Sequence, residues 1–108
     1  MKKIFIAFGH HNTKNSFNSK IRDTFIEEAT LLGHKIDLVN LFDEKEKLPF
    51  YNQNINPPPK LVLDYRSRLE KCDVMFLIGA CHNLRLNSIL ENWVDWVLHP
   101  KWFFSYRS

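Results

Sequence analysis

Apolar residues along this chain switch repeatedly between the spacing of a β-strand and that of a helix. The runs Lys3 to Phe8 and Asp73 to Gly79 are almost continuously apolar, and the segment Lys35 to Asn40 alternates. All three predict strands, and the Asp73 to Gly79 run predicts a central strand of a parallel sheet. The first strand, the helical pattern after it and the second strand predict a βαβ unit with a right-handed crossover.

Three other segments have helical spacing. They are Ser16 to Leu32, with Gly33 as C-cap, Lys60 to Cys72, and a third helix that follows a turn at Ala80 to Leu84 and stops near His99-Pro100. The residues predicted to face the core are Phe17, Ile21, Phe25, Ala29 and Leu32 in the first helix, Val62, Tyr65, Leu69 and Cys72 in the second, and Leu86, Ile89, Leu90, Trp93 and Val97 in the third. Between the second strand and the second helix, Leu41 to Pro59 predicts a long loop.

Alternating strands and helices predict an α/β fold, an open parallel sheet with helices on both faces. A doubly wound sheet with these elements has the strand order 2-1-3. The loops Gly9 to Asn15 and Gly79 to Arg85 then lie together at the topological switch point, where such sheets bind ligands.

The composition is that of a single folded domain. The chain has 108 residues, of which 44% are hydrophobic and 25% charged. Its net charge of +3 is spread along the sequence, which disfavours nucleic acid as a partner. The apolar run after Met1-Lys2-Lys3 is too short for a signal peptide, and no stretch reaches the ~20 apolar residues of a membrane span. We therefore expect a cytoplasmic protein in which Cys72 and Cys81 are free thiols.

The segment GHHNTKNSFN, Gly9 to Asn18, contains the first candidate site. Ser16 suits the N-cap of the following helix, and Asn18 adds a polar side chain to a first turn whose backbone N–H groups lack intrahelical partners. A phosphate bound there would meet these donors and the positive end of the helix dipole. On this segment alone a plain capped helix is the simpler interpretation, and a second matching segment after the third strand favours the ligand site.

Other chemistry at these loops is less well supported. His10, His11, Cys81 and His82 include metal-ligand types, but their spacing fits no zinc signature, so no metal site is predicted. A Cys81 nucleophile assisted by His82 is disfavoured because adjacent residues of an extended chain point apart. Near the end of the chain, Trp96, Trp102, Phe103 and Phe104 are more aromatic surface than one small core hides, which predicts a dimer interface.

The chain resembles the flavodoxin-like NAD(P)H:quinone oxidoreductases, the family that includes the general stress and drug-activity-modulator proteins. Three segments carry the resemblance: GHHNTKNSFN, LEKCDVMFLIG and ILENWVDWVLHPKWFFSY. The last is the most specific, since Ile89, Leu90, Trp93, Asp95, Val97, Phe104 and Tyr106 match the family in type and spacing. The match extends over essentially the whole chain.

The resemblance implies a homodimeric FMN or FAD enzyme that takes hydride from NAD(P)H and reduces quinones or similar small molecules by two electrons. His10 or His11, with Ser16, Phe17 and Asn18, match the family's phosphate-binding loop, although for Phe17 we expect core packing. The second loop, Ala80, Cys81, His82 and Asn83, stands where the family has a Pro-x-Trp-Trp turn that cradles the flavin ring.

Two departures from the family define an alternative. The stacking aromatics are replaced by His82 and Asn83, and family members continue well past the equivalent of Tyr106 with a fourth and a fifth strand. The chain is thus expected to be a truncated flavodoxin-like domain. It is expected to expose a hydrophobic sheet edge, to self-associate, to bind FMN weakly and to show little quinone reduction. The alternative function is a non-catalytic relative that senses a nucleotide or binds a partner.

Overall fold

A computed structural model of the chain describes residues 1–11, 14–79, 81–82 and 85–99. Residues 81, 82, 85 and 86 are described by their backbone alone. The strands are β1 (Lys3–Gly9), β2 (Lys35–Asn40), β3 (Val74–Gly79), β4 (Cys81–His82) and β5 (Arg85–Leu86). The helices are α1 (Phe17–Leu31), α2 (Lys60–Glu70) and α3 (Ser88–Val97).

Strands β2, β1 and β3 form a parallel sheet in the order 2-1-3, which confirms the predicted topology. Among these strands β1 is the central one and β3 lies at an edge, so the prediction of a central strand at Asp73 to Gly79 is wrong for the described sheet. Val74 and Phe76 are accordingly 38% and 41% exposed. A strand is continuously apolar because helices cover both faces of its sheet. This pattern does not indicate whether the strand lies at the centre or at the edge of the sheet.

The helices cover both faces of the sheet. On one face, Ile4 and Ile6 of β1 pack with Ala29 of α1. On the other face, Phe5 and Ala7 pack against α2 and α3, in a larger cluster that includes Val62, Tyr65, Leu69, Leu90, Trp93, Trp96 and Val97. The alternation of β1 side chains between the two clusters follows from the two-residue period of a strand.

Helix α1 starts and ends as the sequence predicts, within one residue. Ser16 is the N-cap, and its Oγ accepts a hydrogen bond from the backbone N–H of Ser19 at 3.0 Å. At the other end Leu32 is the cap residue, one residue before the predicted Gly33, which has a φ of +86°. The N–H of Gly33 donates to the carbonyl of Thr30, and that of His34 to Ala29. This is a Schellman motif, whose left-handed residue favours glycine.

The predicted buried stripe of α1 is wrong at three positions. Phe17 is 78% exposed, Leu32 74% and Ile21 45%. The buried residues of α1 are Ser19, Arg22 and Ala29, of which only Ala29 belongs to the predicted set. Two of these residues are polar and are buried because both are hydrogen-bonded within the protein, so apolar spacing alone could not identify them.

The end of the third helical segment also differs from expectation. Leu86 belongs to the short strand β5, which pairs with β4, and so it is not an inward residue of α3. Trp96 is 3% exposed, so it is part of the core and does not need a dimer partner to bury it. Its ring packs edge-on against Tyr51 of the long loop, and its Nε1 donates to the carbonyl of Pro49 at 2.8 Å. Trp102, Phe103 and Phe104 lie outside the described residues.

The loop between β2 and α2 is fastened to α3 through one side chain. Asn92 donates from Nδ2 to the carbonyl of Pro49 at 2.9 Å, and its Oδ1 accepts from the N–H of Tyr51 at 2.7 Å. The predicted long loop is confirmed, and these hydrogen bonds hold it against the helix. The Sγ of Cys72 donates to the carbonyl of Leu69 at 3.1 Å, and the side chain of Cys81 is outside the description.

Candidate functional site

The carboxyl ends of β1 and β3 meet where Gly9 pairs with Gly79. The connection that leaves β1 through α1 crosses one face of the sheet, whereas the connection through α2 into β3 crosses the opposite face. The two connections therefore diverge between these strands, which makes this edge the topological switch point of the sheet. Both candidate loops of the sequence begin here.

The start of α1 provides donors and a positive environment at this edge. Ser16 has an extended backbone with φ −90° and ψ 163°, so the chain turns into the helix just after it. The first turn contains no acidic residue, and Lys14 and Lys20 are exposed nearby in the sequence. Because the N–H groups of a first turn have no intrahelical acceptors, this helix end can bind an anion.

The second turn of α1 contains a buried arginine, which the apolar pattern of the sequence does not indicate. Arg22 is 6% exposed, and its guanidinium lies 4.5 Å from the centre of the Phe8 ring. It donates to Oδ1 of Asn40 at 3.0 Å and to Oδ1 of Asp23 at 2.8 Å. Since Phe8 and Asn40 pair near the carboxyl ends of β1 and β2, this ion-paired guanidinium lies at the ends of the two strands. The sequence indicates the burial of Arg22 only through spacing. Arg22 lies seven residues, about two helical turns, before the buried Ala29, so both are on the same side of α1.

The start of α3 is also joined to this edge. Asn87, the residue before α3, donates from Nδ2 to the carbonyl of Gly9. Its Oδ1 is buried and has no hydrogen-bond partner among the described residues. A Cβ atom at Gly79 would lie 2.8 Å from this Oδ1 and 2.8 Å from Cδ2 of Leu90, closer than real contacts allow. Glycine at position 79 thus lets α3 approach the sheet, and no sequence motif indicates this role of Asn87.

The predicted residues of the first loop lie on two elements. His10 and His11 follow β1, and their rings stack with centres 4.5 Å apart, while Ser16 caps α1 and Asn18 is half-buried in its first turn. Phe17 is exposed and so does not pack in the core as expected.

The second predicted loop is described only in part. Cys81 pairs with Leu86 and His82 with Arg85, so the backbone forms a short antiparallel hairpin after β3. Ala80 and Asn83 lie outside the described residues, as do the side chains of Cys81 and His82. Within the part of the chain that is described, no group of three or more His, Cys, Asp or Glu side chains could hold a metal ion.

Comparison with known proteins agrees with this architecture. The sequence matches the family described as Flavodoxin-like fold over residues 2–108. The chain belongs to this family. Its structure is similar to that of an NAD(P)H:quinone oxidoreductase from Methanothermobacter marburgensis, with a TM-score of 0.78 and 19% sequence identity. The similarity covers 89% of this chain and 52% of that one, so the chain spans about half the length of that oxidoreductase. No curated protein matches the sequence.

Flavodoxin-like sheets bind ligands at the switch point between their first and third strands. In this member that point contains the junction of Asn87 with Gly9, and the chain that leaves Gly9 leads to the capped start of α1, whereas the buried Arg22 lies at the ends of β1 and β2. This donor set suits the phosphate of a flavin nucleotide, because it combines backbone N–H groups and a helix dipole with positive charge and no acidic residue in the first turn. None of the described helices is long and apolar enough to cross a membrane.

Proposed function

We propose that this chain holds FMN or FAD by its phosphate at the start of α1 and takes part in the two-electron reduction of a quinone-like acceptor by NAD(P)H. The observation that carries the proposal is the capped helix start after β1, with Ser16 at its N-cap and no acidic residue in its first turn. The structural neighbour from Methanothermobacter marburgensis is an NAD(P)H:quinone oxidoreductase, which supports this choice of reaction.

The residues of this chain would bind and orient the cofactor. The backbone N–H groups after Ser16 donate to the phosphate, and Lys14 or Lys20 adds attraction at long range. Arg22 holds the ends of β1 and β2 together through Phe8 and Asn40, and Asp23 pairs with its guanidinium. The flavin supplies the hydride chemistry when it is bound, and the protein supplies position and electrostatics.

A steady-state assay tests this function. The chain is mixed with NADPH, added FMN and a simple quinone, and oxidation of NADPH is followed. A rate that depends on both FMN and protein supports the proposal. The Ser16→Asp variant keeps a good N-cap but places a negative charge at the phosphate position, so its rate should fall, whereas the Ser67→Asp variant on the exposed side of α2 should match the wild type.

A second candidate is a non-catalytic member that binds a nucleotide or a partner without turnover. The observation that favours it is the sequence Ala80-Cys81-His82-Asn83 after β3, which offers no aromatic pair to stack on a flavin ring. FMN binding without NADPH oxidation identifies this candidate. A variant with both His82→Trp and Asn83→Trp should then bind FMN more tightly, because stacking on an aromatic is worth ~1–3 kcal/mol per contact.

A further inference from the structure

A cavity of about 110 Å³ lies at the amino end of the sheet. Its lining includes Lys3 and Lys35, which begin β1 and β2, and Lys71, which follows α2. Strand β1 has seven residues and β2 six, and at ~3.3 Å per residue they span about 20 Å. The cavity is thus at the end of the sheet opposite to the proposed flavin site and is separate from it.

Three positive charges meet at this cavity. Lys3 and Lys35 are partners in the parallel register of β1 and β2, and Lys71 lines the cavity from the end of α2. All three residues are exposed. Like charges on neighbouring strands repel each other, and an anion placed among them removes this repulsion.

The carboxylates at this end of the sheet are already engaged. Asp37 lines the cavity, but its two oxygens accept hydrogen bonds from the guanidinium of Arg68. Asp73, which does not line the cavity, accepts from the backbone N–H of Lys3 at 2.9 Å. Among the described residues, no ion pair involves any of the three lysines. Their positive charge is therefore not paired with a described acidic residue.

A structural role at the end of α2 is the other reason for a lysine at position 71, because basic side chains often bond the last carbonyls of a helix. Here the carbonyls of Arg68 and Leu69 already accept from the backbone N–H groups of Lys71 and Cys72, at 3.2 and 3.1 Å. The ammonium of Lys71 is not needed for these carbonyls, so it is available to a ligand in the cavity.

We propose that this cavity binds a small inorganic oxyanion with two charges, of the sulfate or phosphate type, whose oxygens accept hydrogen bonds from the ammonium groups of Lys3, Lys35 and Lys71. A tetrahedral oxyanion presents separate oxygens to several ammonium groups at once, and hydrogen bonds between ionised partners are the stronger kind. Ile4 and Ile36 add apolar lining, which reduces screening by water on that side. The binding does not depend on the flavin site or on the proposed reaction.

The test is a titration of the intact chain with sodium sulfate, in which sodium chloride is adjusted to keep the ionic strength constant. Backbone amide signals are followed by NMR. The signals of Ile36 and Cys72 should shift saturably, with a dissociation constant on the order of 10 mM, because each exposed charge pair contributes little. The amides of the first turn of α1 report on the proposed flavin-phosphate site in the same titration, so the two sites are judged separately.

Variants that remove one charge assign the binding to the lysines. Lys35→Gln should raise the dissociation constant about three- to fivefold, and the variant with both Lys3→Gln and Lys35→Gln about tenfold or more. Lys60→Gln removes the same charge at the exposed start of α2, outside the cavity, and should bind sulfate like the wild type.

The proposal is overturned if the signals of Ile36 and Cys72 do not respond to sulfate, or if sodium chloride of equal ionic strength shifts them as much. It is also overturned if Lys60→Gln weakens sulfate binding as much as Lys35→Gln does, since the effect then follows the net charge of the chain.

Discussion

Asn87 donates a hydrogen bond from its side-chain amide to the backbone carbonyl of Gly9, across 78 positions of sequence. The bond joins the residue before α3 to the last residue of β1, and it fixes the point where the chain leaves the sheet toward the proposed phosphate site. The geometry of the candidate site therefore depends on a side chain that needs no contact with the ligand.

The Asn87→Ala variant should unfold more easily than the wild type. Losing the amide leaves the carbonyl of Gly9 without this donor, at a cost of about 1 to 2 kcal/mol in the free energy of unfolding. Urea unfolding followed by far-UV circular dichroism measures the change. Asn54→Ala in the exposed loop is the control and should stay within about 0.5 kcal/mol of the wild type. Equal stability of Asn87→Ala and the control would show that the bond contributes nothing.

The Asn92→Ala variant should loosen the loop between β2 and α2. It removes the hydrogen bonds to Pro49 and Tyr51, together worth about 1 to 3 kcal/mol. If the loop opens locally, limited proteolysis within residues 41–59 should be at least about fivefold faster than in the wild type. Asp95→Ala, an exposed change on the same helix, should leave the rate as it is. Faster cleavage in both variants would instead indicate a general weakening of α3.

The contact of Trp96 with this loop explains one limit of prediction from the sequence. The apolar spacing of α3 correctly placed Leu90, Trp93 and Val97 in the core, because they face the sheet at helical intervals. Burial of Trp96 depends on Pro49 and on the ring of Tyr51, which come from a loop without periodicity. Sequence patterns do not predict where such a loop lies, so the sequence alone assigns Trp96 to a dimer interface.

Arg22 explains a second limit. The cap at Ser16 follows from a local rule and the order of the strands from their alternation with helices, and the sequence predicted both correctly. The buried stripe of α1 includes Arg22 because Asn40 accepts its hydrogen bond and Phe8 lies against its guanidinium. Both partners become neighbours of Arg22 only after the sheet has formed, so an apolar pattern could not indicate them.

Tyr65 should make the folded chain less stable at high pH. Burial first, and then Glu44, raise its pKa from 10.0 to about 12. Between these values the unfolded chain releases the phenolic proton while the folded chain retains it, so the free energy of unfolding falls as pH rises from 10 to 12. The loss is of the order of 2 kcal/mol by pH 12. Urea unfolding of the wild type, Tyr65→Phe and Tyr51→Phe at pH 8 to 12 measures it. A decline of equal size in Tyr65→Phe would assign the effect to other groups.

The exposed edge of the sheet should promote self-association. Among the described strands β3 is paired only with β1. Phe76, whose ring is tilted against that of Phe25 of α1 with centres 4.6 Å apart, is 41% exposed. Apolar edge strands recruit further strands, so sedimentation velocity at tens of micromolar should show dimers or larger species. Phe76→Glu should shift the distribution toward monomer, whereas Leu63→Glu on α2 should not. A wild type that sediments as a single monomeric species would refute this expectation.

The central claim is that the start of α1 binds the phosphate of a flavin nucleotide, and the most direct measurement compares FMN with riboflavin, which lacks the phosphate. Both are titrated by fluorescence quenching into the wild type, Ser16→Asp and Ser67→Asp. The wild type and Ser67→Asp should bind FMN at least about tenfold more tightly than riboflavin, since helix-end contacts contribute on the order of 1 kcal/mol each. Ser16→Asp should bind the two alike while keeping its stability. Equal affinities for FMN and riboflavin in the wild type would contradict the account.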